Sequence, residues 1–204
     1  VAGPQQRRLN RCRHCDLAFV PAEYHLSPAQ EKERYALHDN SAGDSGYVRY
    51  LSGVADALER ELPQNGRILD FGSGPDFVLT RILRQRGYCC EPYDPLYGIG
   101  AGALRRGNEY AAVIMCEVIE HLRTPAAELE AIGTVVAPDD GIVVIQTRLY
   151  SAETEFPSWW YAQDPTHIAF YSFKTMEYIG RLLRGPVEYR ADKNLVVVGE
   201  KRVN

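Results

Sequence analysis

Apolar positions fall into a regular pattern from residue 48 onward. Leu51, Val54, Ala55, Leu58 and Leu62 recur at helical spacing until Pro63-Gln64-Asn65-Gly66 stops them. The run Arg67-Ile68-Leu69-Asp70-Phe71 has strand length and leads into a glycine turn. Leu79, Ile82 and Leu83 mark a second helix closed at Gly87, and residues 88–93 predict a second strand ending at Asp94. Residues 95–107 are rich in glycine and offer one helical turn near 103–106, so a third strand and helix are expected to be trimmed away there. Residues 111–116 are apolar at every position, as in a strand covered on both sides. Thr124-Pro125 predicts an N-cap and first turn, with Leu129, Ile132 and Val136 as the buried stripe. A further buried strand is expected over 142–147 and a helix over 172–183, stopped by Gly185-Pro186. Two final strands over 187–191 and 195–200 flank Asp192-Lys193-Asn194.

Strands that alternate with helices predict an α/β fold. The expected form is a Rossmann-like sheet, mostly parallel with an antiparallel C-terminal hairpin, and helices on both faces. Residues 1–46 show no sustained period and carry Pro21, Pro28, Asn40, Gly43 and Gly46, so they are expected to be an irregular N-terminal arm. Residues 47–204 form the main domain. Within it, residues 150–171 are aromatic-rich and aperiodic and are expected to insert as a lid over an apolar pocket.

Composition narrows the function classes. A chain of 204 residues suits one core, and no apolar run reaches membrane-spanning length. No stretch near the first residue looks like a signal peptide, which makes the cytoplasm the expected location. A net charge of -4 argues against a nucleic-acid partner; the local cluster Arg7, Arg8, Arg11 and Arg13 is expected to be a solvated tail. Five cysteines are an odd number and are expected to be reduced. Cys12-Arg13-His14-Cys15 is half of a zinc site, and one such pair leaves a tetrahedral ion half ligated. His14, His25 or a second molecule would have to complete it, so zinc is a secondary expectation for this chain.

Chemistry is expected at the carboxyl ends of the strands. The first such place is Asp70-Phe71-Gly72-Ser73-Gly74, where glycines let the backbone turn sharply beside a helix N-terminus. A dinucleotide turn would carry a third glycine where this chain has Phe77. The second is Asp94, followed by Pro95, where a carboxylate can accept both hydroxyls of a ribose. Together, Ile68-Leu69-Asp70-Phe71-Gly72-Ser73-Gly74 resembles the cofactor loop of class I S-adenosylmethionine-dependent methyltransferases. That resemblance implies S-adenosylmethionine as cofactor, its methionine end held by Asp70, Phe71, Gly72, Ser73 and Gly74, and its ribose by Asp94 and Pro95.

The third place, Cys116-Glu117-Val118-Ile119-Glu120-His121-Leu122, resembles the segment after the fourth strand in small-molecule methyltransferases of the quinone-biosynthesis type. The resemblance implies that Cys116, Glu117 and Val118 line the sulfonium side and that His121 faces the reaction cavity. Glu120 on its own is expected to be a solvated or capping residue, and Cys116 a small buried packing residue. The fourth place holds Trp159, Trp160 and Tyr161 as candidate substrate contacts, with Asp164-Pro165-Thr166-His167 close behind. His167 is the preferred general base, ahead of His121. Tyr35, His38, Asp39, Asn40 and Tyr47 resemble a group that closes over the cofactor in a bacterial subgroup, with His38 and Tyr47 as cofactor contacts. The expected reaction is methyl transfer to a small-molecule acceptor. An NAD-dependent oxidoreductase and a non-catalytic cofactor-binding protein are the alternatives, the first weakened by Phe77.

Overall fold

The computed structural model describes residues 7–36, 43–190 and 194–199. Its main sheet is built from β3 (Arg67–Phe71), β4 (Cys89–Tyr93), β5 (Tyr110–Cys116), β6 (Ile142–Gln146), β8 (Val187–Arg190) and β9 (Leu195–Val198). The strand order is β4-β3-β5-β6-β9-β8, parallel from β4 to β6 and antiparallel at β9 and β8. The expected α/β sheet and its antiparallel end are both present. The tip of the hairpin, residues 191–193, lies outside the described residues, as do His38, Asp39 and Asn40.

Alternation along the strands sorts the core into two layers. Ile68, Ile114, Val144 and Val197 face helices α2 (Ser45–Leu58) and α3 (Val78–Gln85), while Leu69, Val113, Ile145 and Val196 face α4 (Pro125–Gly133) and α5 (Phe173–Leu183). Both faces of the central strands are therefore dry, which is why residues 111–116 and 142–146 carry no polar alternation. Between β4 and β5 the chain makes only the 3-10 turn Ala103–Arg105, as the glycine-rich stretch predicts. The chain runs from β3 to β4 on one side and then crosses to β5 on the other, which opens a crevice at the carboxyl ends of β3 and β5.

Two local expectations are corrected. Thr124 precedes α4, but its hydroxyl bonds the Glu128 carboxylate at 3.3 Å and not a helix amide. The helix ends at Gly133, which leaves Val136 beyond it and only half-buried.

The N-terminal arm is not irregular. It holds β1 (Asn10–Arg11), β2 (Ala18–Phe19), a 3-10 turn at Ala22–Tyr24 and helix α1 (Pro28–Ala36). Strand β2 pairs antiparallel with β7 (Ala169–Phe170), and Leu9, Ala18 and Val20 bury themselves with Tyr150, Phe156 and Phe170 in a third apolar cluster. Strands of two residues are too short to show a period, and α1 has no buried residue and therefore no apolar stripe. The arm's order comes from partners more than a hundred residues away.

Of the arginine cluster, Arg8, Arg11 and Arg13 are exposed as expected, and Arg7 is the correction. Arg7 is buried, and its guanidinium donates to four carbonyls of one segment: Ala162 at 2.8 Å, Asp164 and Pro165 at 3.1 Å, and His167 at 3.4 Å. Arg11 pairs with Asp16 at 2.5 Å. Among the described residues no helix is long and apolar enough to cross a membrane. Replacing Arg7 by methionine leaves those carbonyls without their charged donor, at a cost of about 2–3 kcal/mol. The expected result is a lower urea midpoint together with faster proteolysis within residues 157–168.

Candidate active site

A cleft of about 1430 Å³ opens at the carboxyl ends of β3, β4 and β5. Its floor is the glycine turn. Gly72 has φ +78°, and a side-chain carbon there would lie 2.4 Å from Cγ2 of Val118, so only glycine fits this contact. Phe71, Gly72, Ser73 and Gly74 line the cleft. Phe77 also lines it and takes the left-handed conformation, φ +38°, that a glycine would adopt freely. Asp70 does not line it. Its carboxylate, 2% exposed, lies behind the loop and accepts from the Thr80 hydroxyl at 2.7 Å. Burial raises its pKa to about 6. The acid expected to touch a ligand instead braces the turn against α3.

Asp94 is on the cleft wall, and so is Pro95. One carboxylate oxygen accepts from the Gly74 amide at 3.0 Å; the other accepts from the amides of Leu96 at 2.9 Å and Tyr97 at 3.3 Å. The aspartate thus clamps two loops together and still faces the cavity. Burial pushes its pKa up, against the pull of those amides.

Strand β5 ends at Cys116, whose thiol donates to the Gln146 side chain at 2.7 Å. Burial holds this thiol well above its ordinary pKa, so it is a poor nucleophile. Glu117 then takes a left-handed conformation, φ +50°, and the 3-10 turn Ile119–His121 follows. Glu117, Val118 and His121 reach the cleft. Glu120, expected to be solvated, is completely buried.

Around Glu120 the polar groups are closely matched. The Tyr161 hydroxyl lies 2.6 Å from Glu120 Oε1, 3.0 Å from Glu117 Oε2 and 3.1 Å from the Thr147 hydroxyl, which reaches Glu120 Oε2 at 3.1 Å. The two hydroxyls hold one proton each, and both are used if Tyr161 and Thr147 donate to Glu120. Glu117 accepts from the Tyr50 hydroxyl at 3.4 Å through its other oxygen. Burial, followed by the neighbouring Glu120 charge, raises the Glu117 pKa to about 7.

Both histidines face the same space. His121 Nδ1 is 3.0 Å from the Thr166 carbonyl, and His167 Nδ1 is 2.6 Å from the Tyr161 carbonyl. A carbonyl only accepts, so each ring carries its proton on Nδ1 and offers the Nε2 lone pair. The rings meet edge to face with centroids 4.7 Å apart. Burial, and then His121, lowers the His167 pKa to about 4; burial lowers that of His121. His167, expected to be the general base, lines the cleft, where burial makes it a weaker base than a free imidazole.

The aromatic segment divides. Trp160 is 63% exposed at the cleft rim, with the Arg148 guanidinium 4.9 Å from its ring, and Tyr161 is buried in the wall. Trp159 is not a cleft residue; it packs against Phe156 and Phe170 in the third cluster. Tyr47 lines the cleft and His38 is outside the described residues. Sequence reasoning missed Tyr50, whose hydroxyl reaches Glu117 at 3.4 Å, and Arg34, which pairs with Asp164 at 3.1 Å across the cleft. Tyr50 is one helical turn beyond Tyr47, and that spacing was the available signal. Cys12 and Cys15 are free, and among the described residues no third ligand group joins them. His14 stacks edge-on against Tyr178 at 5.4 Å.

The sequence pattern of a family described as a methyltransferase domain matches residues 46–182. The chain belongs to this methyltransferase family. No curated protein matches the sequence. Among solved structures, this methyltransferase is similar to the citrinin polyketide synthase CMeT domain, at 15% identity and TM-score 0.50, over 86% of this chain and 58% of that one. It is similar to an O-methyltransferase family protein from Burkholderia thailandensis, at 13% identity and TM-score 0.57, over 96% of this chain and 80% of the other. A third is Haemonchus contortus phosphoethanolamine N-methyltransferase 2 in complex with S-adenosyl-L-methionine, at 14% identity and TM-score 0.51, over 78% of this chain and 42% of the other. The chain thus spans less than two thirds of the first and third of these proteins. At such identities the likeness is one of fold.

Asp70 makes this methyltransferase sensitive to pH. Its folded pKa of about 6 lies above the unfolded value, so its contribution to stability is complete below about pH 4 and is lost as pH rises through 6. Asp70→Asn keeps an acceptor for Thr80 and does not titrate. The variant is expected to be more stable than the parent by about 2–3 kcal/mol at pH 7.5, with the difference vanishing near pH 4, as read from urea melts across that range.

Proposed function

We propose that this methyltransferase transfers the methyl group of S-adenosylmethionine to a small-molecule acceptor. The observation that carries the reading is a single cleft joining two unlike ends: the glycine turn with Asp94 at one, and Glu117, His121, Tyr161 and His167 at the other. Its volume of about 1430 Å³ exceeds the range of about 300–1,000 Å³ usual for one small ligand. That leaves room for cofactor and acceptor side by side.

In this reading Phe71, Gly72, Ser73 and Gly74 receive the methionine end, with Asp70 bracing them from behind. Asp94 and Pro95 receive the ribose, and Cys116, Glu117 and Val118 lie beside the sulfur. Tyr47 of α2 lines the cleft beside the cofactor, and His38 is assigned to the cofactor on the resemblance alone; residues 47–204 form the methyltransferase domain. Trp160 and Tyr161 flank the acceptor. The bound cofactor supplies an electrophilic methyl carbon, so the protein's part is alignment and exclusion of water. His167, and next to it His121, accept the hydrogen bond of the attacking group through Nε2 and take its proton. Their weak basicity suits an acceptor that is already acidic. The five unpaired cysteines agree with a cytoplasmic setting.

Thermal melts test the cofactor. S-adenosylhomocysteine is expected to raise the melting temperature by several degrees and NADH to leave it unchanged. Asp94→Ala is expected to lose most of the rise, about a tenfold or larger drop in affinity. Stabilisation by NADH alone would replace this reading with the oxidoreductase.

A further inference from the structure

We infer that Glu120, His121 and His167, with Glu117 beside them, form a binding site for one divalent metal ion at the acceptor end of the cleft. The inference rests on the proposed function for its purpose and on separate geometry for its existence.

One carboxylate oxygen of Glu120 and one ring nitrogen from each histidine all lie within 4.8 Å of one another. Three ligands of one cation at about 2.1 Å lie about 3–3.6 Å apart. The three groups therefore close by up to about 1 Å when the ion binds. Their orientation is already that of ligands. Each Nδ1–H is tied to a backbone carbonyl, at Thr166 and at Tyr161, the outer contact that fixes a metal-binding imidazole with Nε2 forward. Among the described residues neither Nε2 has a hydrogen-bond partner, and that of His121 lies 4.0 Å from Glu120 Oε1.

The Glu120 carboxylate is held in place by the hydroxyls of Tyr161 at 2.6 Å and Thr147 at 3.1 Å, and Glu117 Oε2 lies 3.0 Å from the same Tyr161 hydroxyl. Two imidazoles and one carboxylate form a mixed nitrogen and oxygen set suited to manganese, iron or zinc, with open positions left over. Those positions face the cleft. An acceptor hydroxyl bound there loses its proton to the Glu117 carboxylate, its oxygen forms the bond to the methyl carbon, and the carbon–sulfur electron pair stays on sulfur. The site thus favours oxygen acceptors; with the ion bound Glu117 takes the proton, and in the metal-free protein the histidines take it.

Titration of the purified, chelator-treated protein with manganese chloride, followed by calorimetry and by the loss of free-ion electron paramagnetic resonance, tests the site. One saturable equivalent is expected. Binding is expected to weaken at least tenfold in His121→Ala and in His167→Ala, and about tenfold in Tyr161→Phe, which removes the hydroxyl that orients Glu120 and Glu117. Each variant is checked by its melt with S-adenosylhomocysteine, so that a misfolded chain is recognised. Absence of saturable manganese binding in a protein that S-adenosylhomocysteine still stabilises would overturn the metal site and leave methyl transfer standing. Binding that survives both histidine variants would overturn it equally. Failure of S-adenosylhomocysteine to stabilise the parent, with manganese bound, would instead remove the proposed function.

Discussion

A carboxylate without any solvent contact, that of Glu120, is the constraint on which the site is built. A buried charge is costly unless its oxygens are satisfied, and here the hydroxyls of Tyr161 and Thr147 bond them. Thr147 follows the end of β6, whereas Tyr161 belongs to the aromatic segment over the cleft. Meeting the demand of one glutamate therefore docks that segment against the sheet. Once Tyr161 is docked, its carbonyl orients His167, and the backbone of Ile168 donates to the carbonyl of Glu120 at 2.9 Å. Buried polar groups, more than apolar packing, set the shape of the reactive end.

The opposite end follows a steric rule. Gly72 and Val118 press together so closely that the loop after β3 and the loop after β5 share one wall. The left-handed turn at Glu117 then directs its carboxylate into the crevice that the strand order creates. Backbone geometry and strand order thus place the two ends of the cleft side by side, so that a ligand in one would present its reactive atom to the other.

The covers over the cleft are held with unequal strength. The segment 162–167 is held by the buried Arg7 guanidinium as well as by Tyr161. Helix α1 buries no residue and is held by Arg34–Asp164 at 3.1 Å and Arg123–Glu31 at 2.9 Å, pairs with substantial exposure. Exposed pairs contribute at most about 1 kcal/mol each. The arm side is the weaker cover, and through it Tyr35 packs edge-on against the His121 ring at 5.5 Å.

The sequence by itself determined the sheet, its two helical layers, the trimmed stretch after β4 and the glycine turn. All of these are written in local period and turn chemistry, which neighbouring residues dictate directly. It also drew attention to Asp94, Glu117, His121 and His167, because strand ends are where this architecture binds ligands. Tertiary structure alone decided the rest. Arg7 looks like a solvated tail residue until four carbonyls from residues 162–167 surround it, and Glu120 looks solvated until Tyr161 covers it. Asp70 and Trp159 turn away from the cleft because Thr80 and the Phe156–Phe170 cluster offer them nearer partners. Each of these outcomes depends on contacts between segments far apart in the chain, and no local pattern records which distant group will satisfy a buried charge.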